Sequence, residues 1–454
     1  MRVGKFIICF IASVFMYIWA PQQIDFSYTV FSVLLFLIQS FWILKEDIKK
    51  EGLLCFNTLF LLSYFFVSYA FPLFVLGTPL QSFFVGIFDY IDYNVSTRCS
   101  ALCTMAISAY FVAYESQRYR KVDFSKWIKA SSLNGLKPIY LLTFIVLLVK
   151  TLIYMRDKGG IAVDSGFWEL LYEVTFCIYL GYNCSKHQCR TLKEYIKINK
   201  LPLYTCLFIM LVYFVIGDRG IIITCGVIMV GVYWYSVKRI KTWLLLPGMI
   251  VGVFLMFVLQ VTRKSDASLG SGNTSGFVTE AETALAETSS PIMMFSDFLI
   301  IHRELYLGYE YYQKNGVSYP SQIFILPFYP LPFVPTLLSE MAYGKTMNEI
   351  KPGVLLNNYI AYTGYGHLGI HCVSDLLMRF GYIGLIFFFY LWGYVVARVS
   401  ASKGTGILGY SLFVILLSQA IYVPRAPILD QIKVLADVFI VLWVASVLFK
   451  KNRR

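Results

Sequence analysis

Residues 201–235, LPLYTCLFIMLVYFVIGDRGIIITCGVIMVGVYWY, join two apolar runs through only four residues, Gly217-Asp218-Arg219-Gly220. Each run approaches the length that a helix needs to cross the apolar part of a bilayer. The two glycines allow a tight reversal between the runs. The stretch therefore predicts a membrane-embedded helical hairpin, and the side of the membrane that Asp218 and Arg219 face becomes the question on which the topology depends.

The composition is typical of a polytopic membrane protein. Hydrophobic residues make up 58% of the 454 residues and charged residues only 14%, whereas soluble proteins carry about 25% charged residues. The net charge of +13 is then explained by basic cytoplasmic loops, and we expect no nucleic-acid partner. The ten cysteines include no CxxC pair and the four histidines no HExxH pattern, so we expect neither a metal site nor a cofactor.

About twelve apolar segments are candidates to span the membrane, some of them short. They are residues 6–20, 26–44, 53–76, 99–114, 138–149, 168–184, 201–216, 221–235, 243–261, 380–397, 407–423 and 434–449. The first follows basic residues, as a signal peptide does, but it has no small-residue cleavage site and another span follows closely. The sequence predicts an all-α polytopic membrane protein whose first helix is retained.

The basic residues give the orientation. The connections on one side of the predicted bundle hold 25 Lys and Arg residues, and the short connections on the other side hold 6. Because Lys and Arg accumulate on the cytoplasmic side, both termini are predicted to be cytoplasmic. The tip with Asp218 and Arg219 then faces outward.

One predicted outer loop is much longer than the others and divides the chain into residues 1–261, 262–378 and 379–454. Within it, apolar residues recur at helical spacing over residues 291–314, which predicts an amphipathic helix on the membrane surface or over a cavity. The prolines of YPSQIFILPFYPLPFVP, residues 319–335, exclude a regular helix there. This apolar segment is therefore predicted to have an irregular backbone and to lie at the membrane interface.

Outward-facing arginines are the first candidates for binding, because their planar guanidinium matches phosphate oxygens. The candidates are Arg219, Arg425, Arg379 and Arg303, and less surely Arg156 and Arg263. Arg219 and Arg425 each interrupt the charge bias in a short outer loop. The alternative for Arg219 is a simple pair with Asp218, and for any of them contact with lipid headgroups.

A second group is His367, His371 and Asp375, which are spaced by four residues and would share one face of a helix. Such a face could supply a general base near neutral pH, although the histidines could equally be hydrogen-bonded interfacial residues. Acidic residues in or near spans are a third group, because carboxylates at membrane depth are costly. They are Glu173, Asp437, Asp297, Glu304 and Glu310.

These features together resemble the Wzy-type O-antigen or oligosaccharide repeat-unit polymerases. The resemblance consists of the twelve spans, the long outer loop before the last three, the Gly-Asp-Arg-Gly turn and the arginine of YVPRAPILDQIK, which is Arg425. GYGHLGIHCVSDLLMRFGYIGLIFFFYLWG is similar to the family's segment in which an acidic residue, here Asp375, precedes an FGxxG helix start, here Gly381 and Gly384. The related O-antigen ligases carry a histidine near the place of His371, so the ligase alternative stays open.

The resemblance implies glycosyl transfer at the periplasmic face of the bacterial inner membrane, from a glycan on undecaprenyl pyrophosphate to a lipid-linked repeat unit. The arginines would hold the pyrophosphate, and His371, His367 or Asp375 would take the proton of the acceptor hydroxyl. Expected partners are undecaprenyl-pyrophosphate-linked glycans and membrane lipids, with a chain-length regulator and a flippase as further candidates. The rival class is a carrier or flippase for lipid-linked sugars.

Overall fold

The computed structural model describes residues 2–84, 91–127, 135–156, 166–216, 219–241, 291–319, 322–329, 334–359 and 369–448, together with residues 88, 133, 243, 247, 248, 252 and 331. These residues form helices, turns and irregular segments, and no β-strand occurs among them. The α-helices are α1 (Arg2–Ile18), α2 (Phe26–Glu51), α3 (Phe56–Ser68), α4 (Ala70–Phe74), α5 (Ser96–Gln117), α6 (Leu136–Arg156), α7 (Gly166–His187), α8 (Leu192–Ile198), α9 (Lys200–Ile216), α10 (Gly220–Ser236), α11 (Ser296–Leu299), α12 (Ile301–Asn315), α13 (Gln322–Ile325), α14 (Val334–Tyr343), α15 (Pro352–Tyr359), α16 (Cys372–Ser402), α17 (Gly406–Gln419) and α18 (Ile428–Leu448).

Four stretches among the described residues are helical, long and apolar enough to cross a membrane. They are Phe26–Glu51, Tyr93–Gln117, Leu136–Ile153 and Cys372–Ser402. The bent pair α8–α9, with an angle of 83°, is a fifth candidate if it is counted as one span. These findings support an all-α membrane protein, while the twelve spans and the extracytoplasmic position of the long loop stay predictions.

The predicted apolar segments coincide with helices wherever the structure describes them. The segment 53–76 corresponds to the pair α3 and α4, and the segment 243–261 lies almost wholly outside the described residues. The predicted divisions at residues 261 and 378 follow expected topology. By packing, the chain instead forms two compact units, residues 1–120, 296–401 and 420–433 in the first and residues 121–295, 402–419 and 434–454 in the second.

In the first unit, α5 is packed against α1 and α2 and is mostly buried. Its neighbour α16 approaches so closely at Gly393 that an added Cβ would lie 2.3 Å from the Tyr110 carbonyl oxygen. Polar side chains link α2 and α5, because Gln39 Nε2 donates to Ser108 Oγ at 2.9 Å. Small residues and hydrogen bonds of this kind are what hold helices together when lipid replaces water.

A buried ion network closes one end of the α2–α5 pair. The Arg118 side chain is only 4% exposed, and its guanidinium lies 3.1 Å from Glu46, 3.1 Å from Glu115 and 2.5 Å from Asp47. Asn57 Nδ2 also donates to Asp47, at 2.6 Å. Since a buried charge is tolerated only when it is paired and hydrogen-bonded, this network is a structural clamp.

The second unit is built around α7, which packs on α6, α10 and α17. Close approach again depends on glycine, because an added Cβ at Gly181 would lie 2.7 Å from Tyr410 Cε1. Inside this unit the Glu173 carboxylate accepts hydrogen bonds from Thr224 Oγ1 and from Gln419 Nε2, the latter at 3.3 Å.

Candidate functional site

Helix α12 carries the sequence IHRELYLGY and is buried over residues 301–309. A helix is found where the spacing predicted one. Burial of residues 301–309 does not fit a position on the membrane surface, and the alternative position over a cavity stays a prediction. His302 and Glu304 are 0% exposed and Arg303 is 1% exposed. Burial of so many polar side chains is rare in proteins unless they serve structure or chemistry.

The start of α16 is the main neighbour of one face of α12. A Cβ added at Gly308 would lie 2.5 Å from Ser374 Cβ and 3.4 Å from Met378 Sδ. About two turns earlier, Ile301 Cδ1 lies 3.4 Å from the position of a Cβ on Gly369. The face of α12 that contains residues 301, 304 and 308 therefore lies against residues 369–378.

Asp375 and Arg379 form an ion pair one helical turn apart on α16. Arg379 Nε donates to Asp375 Oδ1 at 2.9 Å, and both side chains are 0% exposed. Arg379 Nη1 donates to Gln322 Oε1 at 2.7 Å, which ties α13 to α16. Arg379 Nη2 and Asp375 Oδ2 have no hydrogen-bond partner among the described residues.

A second pair lies beside the first. The Tyr329 hydroxyl donates to Asp430 Oδ1 at 2.9 Å, at the start of α18. Burial and the Asp430 carboxylate raise the pKa of Tyr329, and the Arg379 guanidinium opposes this effect. The electrostatic coupling shows that Asp430, Tyr329 and Arg379 share one neighbourhood in the first unit.

His371 is the residue before α16 and caps that helix. Its Nδ1 accepts a hydrogen bond from the Val373 backbone N–H at 3.1 Å, so the ring proton resides on Nε2, which faces Ser68 Oγ at 3.0 Å. Burial lowers the pKa of His371 well below its usual value. A neutral ring with both nitrogens engaged holds the helix start in place and presents no free lone pair to a substrate.

The predicted helical face of His367, His371 and Asp375 is not formed, because the helix begins only at Cys372. Gly369 has a φ of +92°, a conformation that a helix cannot continue. His367 lies outside the described residues. By contrast, the predicted helix start at Gly381 is confirmed, since Gly381 has φ +66° and breaks α16 into two helical parts.

His302 is a second buried histidine near Ser68. Its Nδ1 lies 3.1 Å from the Leu299 carbonyl oxygen, to which it donates. Burial lowers the pKa of His302 to about 3, although the backbone at Leu299 and Ser68 partly opposes the effect. This histidine is therefore neutral at physiological pH and acts as a packing residue with a hydrogen bond.

Arg425 lies in the turn between α17 and α18. Its Nη1 is 3.4 Å from Asp297 Oδ2, and its guanidinium lies 5.5 Å from the centre of the Phe298 ring. The side chain is 16% exposed, and burial lowers the pKa of Arg425. The carbonyl oxygen of Arg425 lies 3.2 Å from a Cβ position on Gly369, which places this turn next to the segment before α16.

Glu304 differs from every other acid described above. Both of its carboxyl oxygens are buried without a hydrogen-bond partner in the described part of the chain. Burial raises the pKa of Glu304 to about 7, and the Arg303 guanidinium opposes the effect. A carboxyl group with this pKa exchanges its proton near neutral pH.

The first unit thus brings together five of the predicted site residues: Arg303, His371, Asp375, Arg379 and Arg425. Arg219 belongs to the second unit, where it is half-buried and precedes the first residue of α10. Sequence reasoning missed Gln322, Tyr329 and Asp430, whose roles depend on tertiary contacts. It named Glu304 only as one acid among several, without a signal that its carboxyl group has no partner.

No group of three or more His, Cys, Asp and Glu side chains that could hold a metal ion occurs among the described residues. Comparison with known proteins adds no identification, because no family model, curated protein or solved structure matches the chain significantly.

Proposed function

We propose that the chain is a membrane glycosyltransferase that polymerises oligosaccharide repeat units carried on undecaprenyl pyrophosphate, as in O-antigen, capsule or exopolysaccharide synthesis. The observation that carries the proposal is the grouping of Arg303, Arg379 and Arg425 with buried acids in one compact unit. The sequence resemblance and the predicted topology place these three arginines on the periplasmic side of the bacterial inner membrane.

Such a reaction needs a cationic side chain that binds the leaving pyrophosphate and a base for the acceptor hydroxyl. Arg425 is the best candidate for this cation, because its ion pair of 3.4 Å is long and its side chain is partly accessible. Arg379 is fully buried in its pair with Asp375, so its first role is to fix the start of α16. An anion at Arg425 would offset the cost of burying this cation.

The experiment compares surface glycans in a deletion strain that is complemented with full-length wild type, Arg425→Ala or Arg98→Ala. Arg98 is the matched control, since it is predicted to lie on the same side and donates to the Ala20 carbonyl oxygen at 3.3 Å. We expect Arg425→Ala to leave surface core with at most one repeat, while Arg98→Ala keeps the long chains. Immunoblotting of membranes verifies that each variant accumulates.

The same experiment separates the rival functions. A ligase defect would leave long chains on the carrier lipid, and a carrier or flippase defect would trap single units inside the cell. Either pattern contradicts a polymerase, and wild-type chain length with Arg425→Ala at normal protein level would remove Arg425 from the mechanism.

A further inference from the structure

The carboxyl group of Glu304 is not explained by the packing of the protein. It is 0% exposed, and neither oxygen has a hydrogen-bond partner in the part of the chain that the structure describes. A buried polar group without a partner costs about 1–3 kcal/mol, and more when it is charged. Packing alone would be better served by leucine or methionine at this position.

The position of Glu304 on α12 places it near the segments that form the candidate site. Ile301 and Gly308, which lie three residues before and four residues after it, share its face. Ile301 lies against Gly369 and so beside the Arg425 turn, and Gly308 lies against Ser374, next to Asp375. Glu304 is therefore flanked by the two segments that carry the arginine and the ion pair of the candidate site.

Two of the other candidate bases are committed to structural contacts. His371 uses Nδ1 to cap α16 and its Nε2 faces Ser68. Asp375 has one oxygen bound to the Arg379 guanidinium, and His367 lies outside the described residues. Neither carboxyl oxygen of Glu304 has a hydrogen-bond partner among the described residues.

We infer that Glu304 is the general base that takes the proton from the acceptor sugar hydroxyl. In this step the hydroxyl proton moves to the carboxylate and the hydroxyl oxygen forms a bond to the anomeric carbon of the donor. The bond from that carbon to the pyrophosphate oxygen breaks, and its electron pair leaves with the pyrophosphate. The inference rests on the proposed function, because it needs a sugar hydroxyl as the acceptor.

The electrostatic surroundings are consistent with a group that titrates alone. Arg303 is the charged neighbour that acts on Glu304, and it favours the carboxylate. The ionisable side chains on or next to the elements around α12 include His302, Glu310, Lys314, Asp297, Asp92, Arg98, Lys351, His371, Asp375 and Arg379. The two histidines are neutral because their pKa values are lowered by burial, and Asp375 and Arg379 compensate each other.

The test measures chain extension by the purified full-length protein in lipid nanodiscs, with the lipid-linked repeat unit extracted from the deletion strain as substrate. Wild type should become faster as the pH rises, with a midpoint near pH 7 and a plateau above about pH 8, where the base is deprotonated. Glu304→Gln should lower the plateau rate by about 100- to 10,000-fold, the usual contribution of a general base. Glu304→Asp should retain part of the rate and shift the midpoint of the pH profile, because the carboxyl group is withdrawn by one methylene.

The matched control is Glu349→Gln, an exposed acid outside the candidate groups. Glu349 accepts hydrogen bonds from the Thr346 N–H and Oγ1, both at 2.7 Å, so we expect a rate within about 2-fold of wild type, given the small worth of such exposed contacts. A rate near wild type for Glu304→Gln would overturn the inference. If Glu304→Gln does not accumulate, Glu304→Asp decides the matter, and an unshifted midpoint would overturn it.

These outcomes differ from a failure of the proposed function. If wild type does not extend the lipid-linked unit, the polymerase proposal fails and the assignment of Glu304 fails with it. If wild type extends the unit and Glu304→Gln does so equally well, only the assignment of Glu304 fails.

Discussion

Replacing Glu304 by glutamine should stabilise the protein at alkaline pH. The pKa of Glu304 is raised from an ordinary value of 4.5 to about 7 in the folded protein. Folding therefore favours the protonated form, so the stability linked to this group is present below pH 4.5 and is lost as the pH rises through 7. The full effect is about 3 kcal/mol, of which about 2.5 kcal/mol appears between pH 5 and pH 8.

Glutamine has the shape of the protonated acid and does not titrate. We therefore expect the melting temperatures of Glu304→Gln and wild type to be similar at pH 5 and to differ by a few degrees at pH 8, with the variant more stable. Thermal unfolding of the purified full chain in detergent, followed by intrinsic fluorescence across this pH range, measures the difference.

Glu349→Gln is the control for this prediction. Glu349 is solvent-exposed and accepts hydrogen bonds from the Thr346 N–H and Oγ1, both at 2.7 Å, and these contacts lower the pKa of its carboxyl group. Its stability effect is lost as the pH falls through the folded pKa, below the range tested, so its difference from wild type should not vary between pH 5 and pH 8. A Glu304→Gln variant that is less stable than wild type at pH 8 would refute the view that Glu304 is an unpaired buried acid.

Two further predictions concern packing and the buried ion network. Gly308→Ala should destabilise the protein by about 1–3 kcal/mol, because the new methyl group would lie 2.5 Å from Ser374 Cβ. The control is Gly226→Ala, where the structure leaves space and the substitution should stabilise by up to about 1 kcal/mol. Equal melting temperatures for the two variants would contradict the close contact. Arg118→Ala should cost about 3–5 kcal/mol by leaving Asp47 and Glu115 buried without their cation, whereas Arg120→Ala should change little; a melting temperature of Arg118→Ala within a degree of wild type would show that the network is not a clamp.

The helices were predictable because the requirement for an apolar span is local. A segment such as 138–149 is recognisable from its apolar composition, and in the structure Leu136–Arg156 forms a helix. The predicted apolar run ended before Lys150 because that residue is charged. The helical hydrogen bonds of the backbone continue past Lys150, so the helix extends to Arg156. Hydropathy measures which residues suit lipid, and a helix can continue beyond that limit with its charged ends in water.

The environment of α12 was not predictable in the same way. Its spacing predicted a helix, but the sequence left open whether that helix lies on the membrane surface or over a cavity. Whether a polar side chain is buried depends on partners far away in sequence, such as the close approach of Gly308 to Ser374. A single sequence contains no local record of that contact.

Glycine and histidine at the start of α16 show the same contrast. Gly381 was predicted from the resemblance as the start of a helix, and the structure has a φ of +66° there, which glycine adopts readily. The role of His371 could not be predicted, since a helix cap requires the ring nitrogen to lie next to one particular backbone N–H. The equal spacing of His367, His371 and Asp375 suggested a helical face that the backbone at Gly369 prevents.

Whether a buried charged side chain in this protein serves structure or chemistry depends more on its hydrogen-bond partners than on its burial. Asp375 and Glu304 are equally inaccessible, yet Asp375 is held by the Arg379 guanidinium and Glu304 has no hydrogen-bond partner in the described chain. A fold that needed only stability would remove an unpaired carboxyl group, because its burial opposes folding. Retaining it beside the Arg425 turn is understandable if the missing partner is a substrate hydroxyl, and this is why the same substitution, Glu304→Gln, is expected to raise stability and abolish transfer.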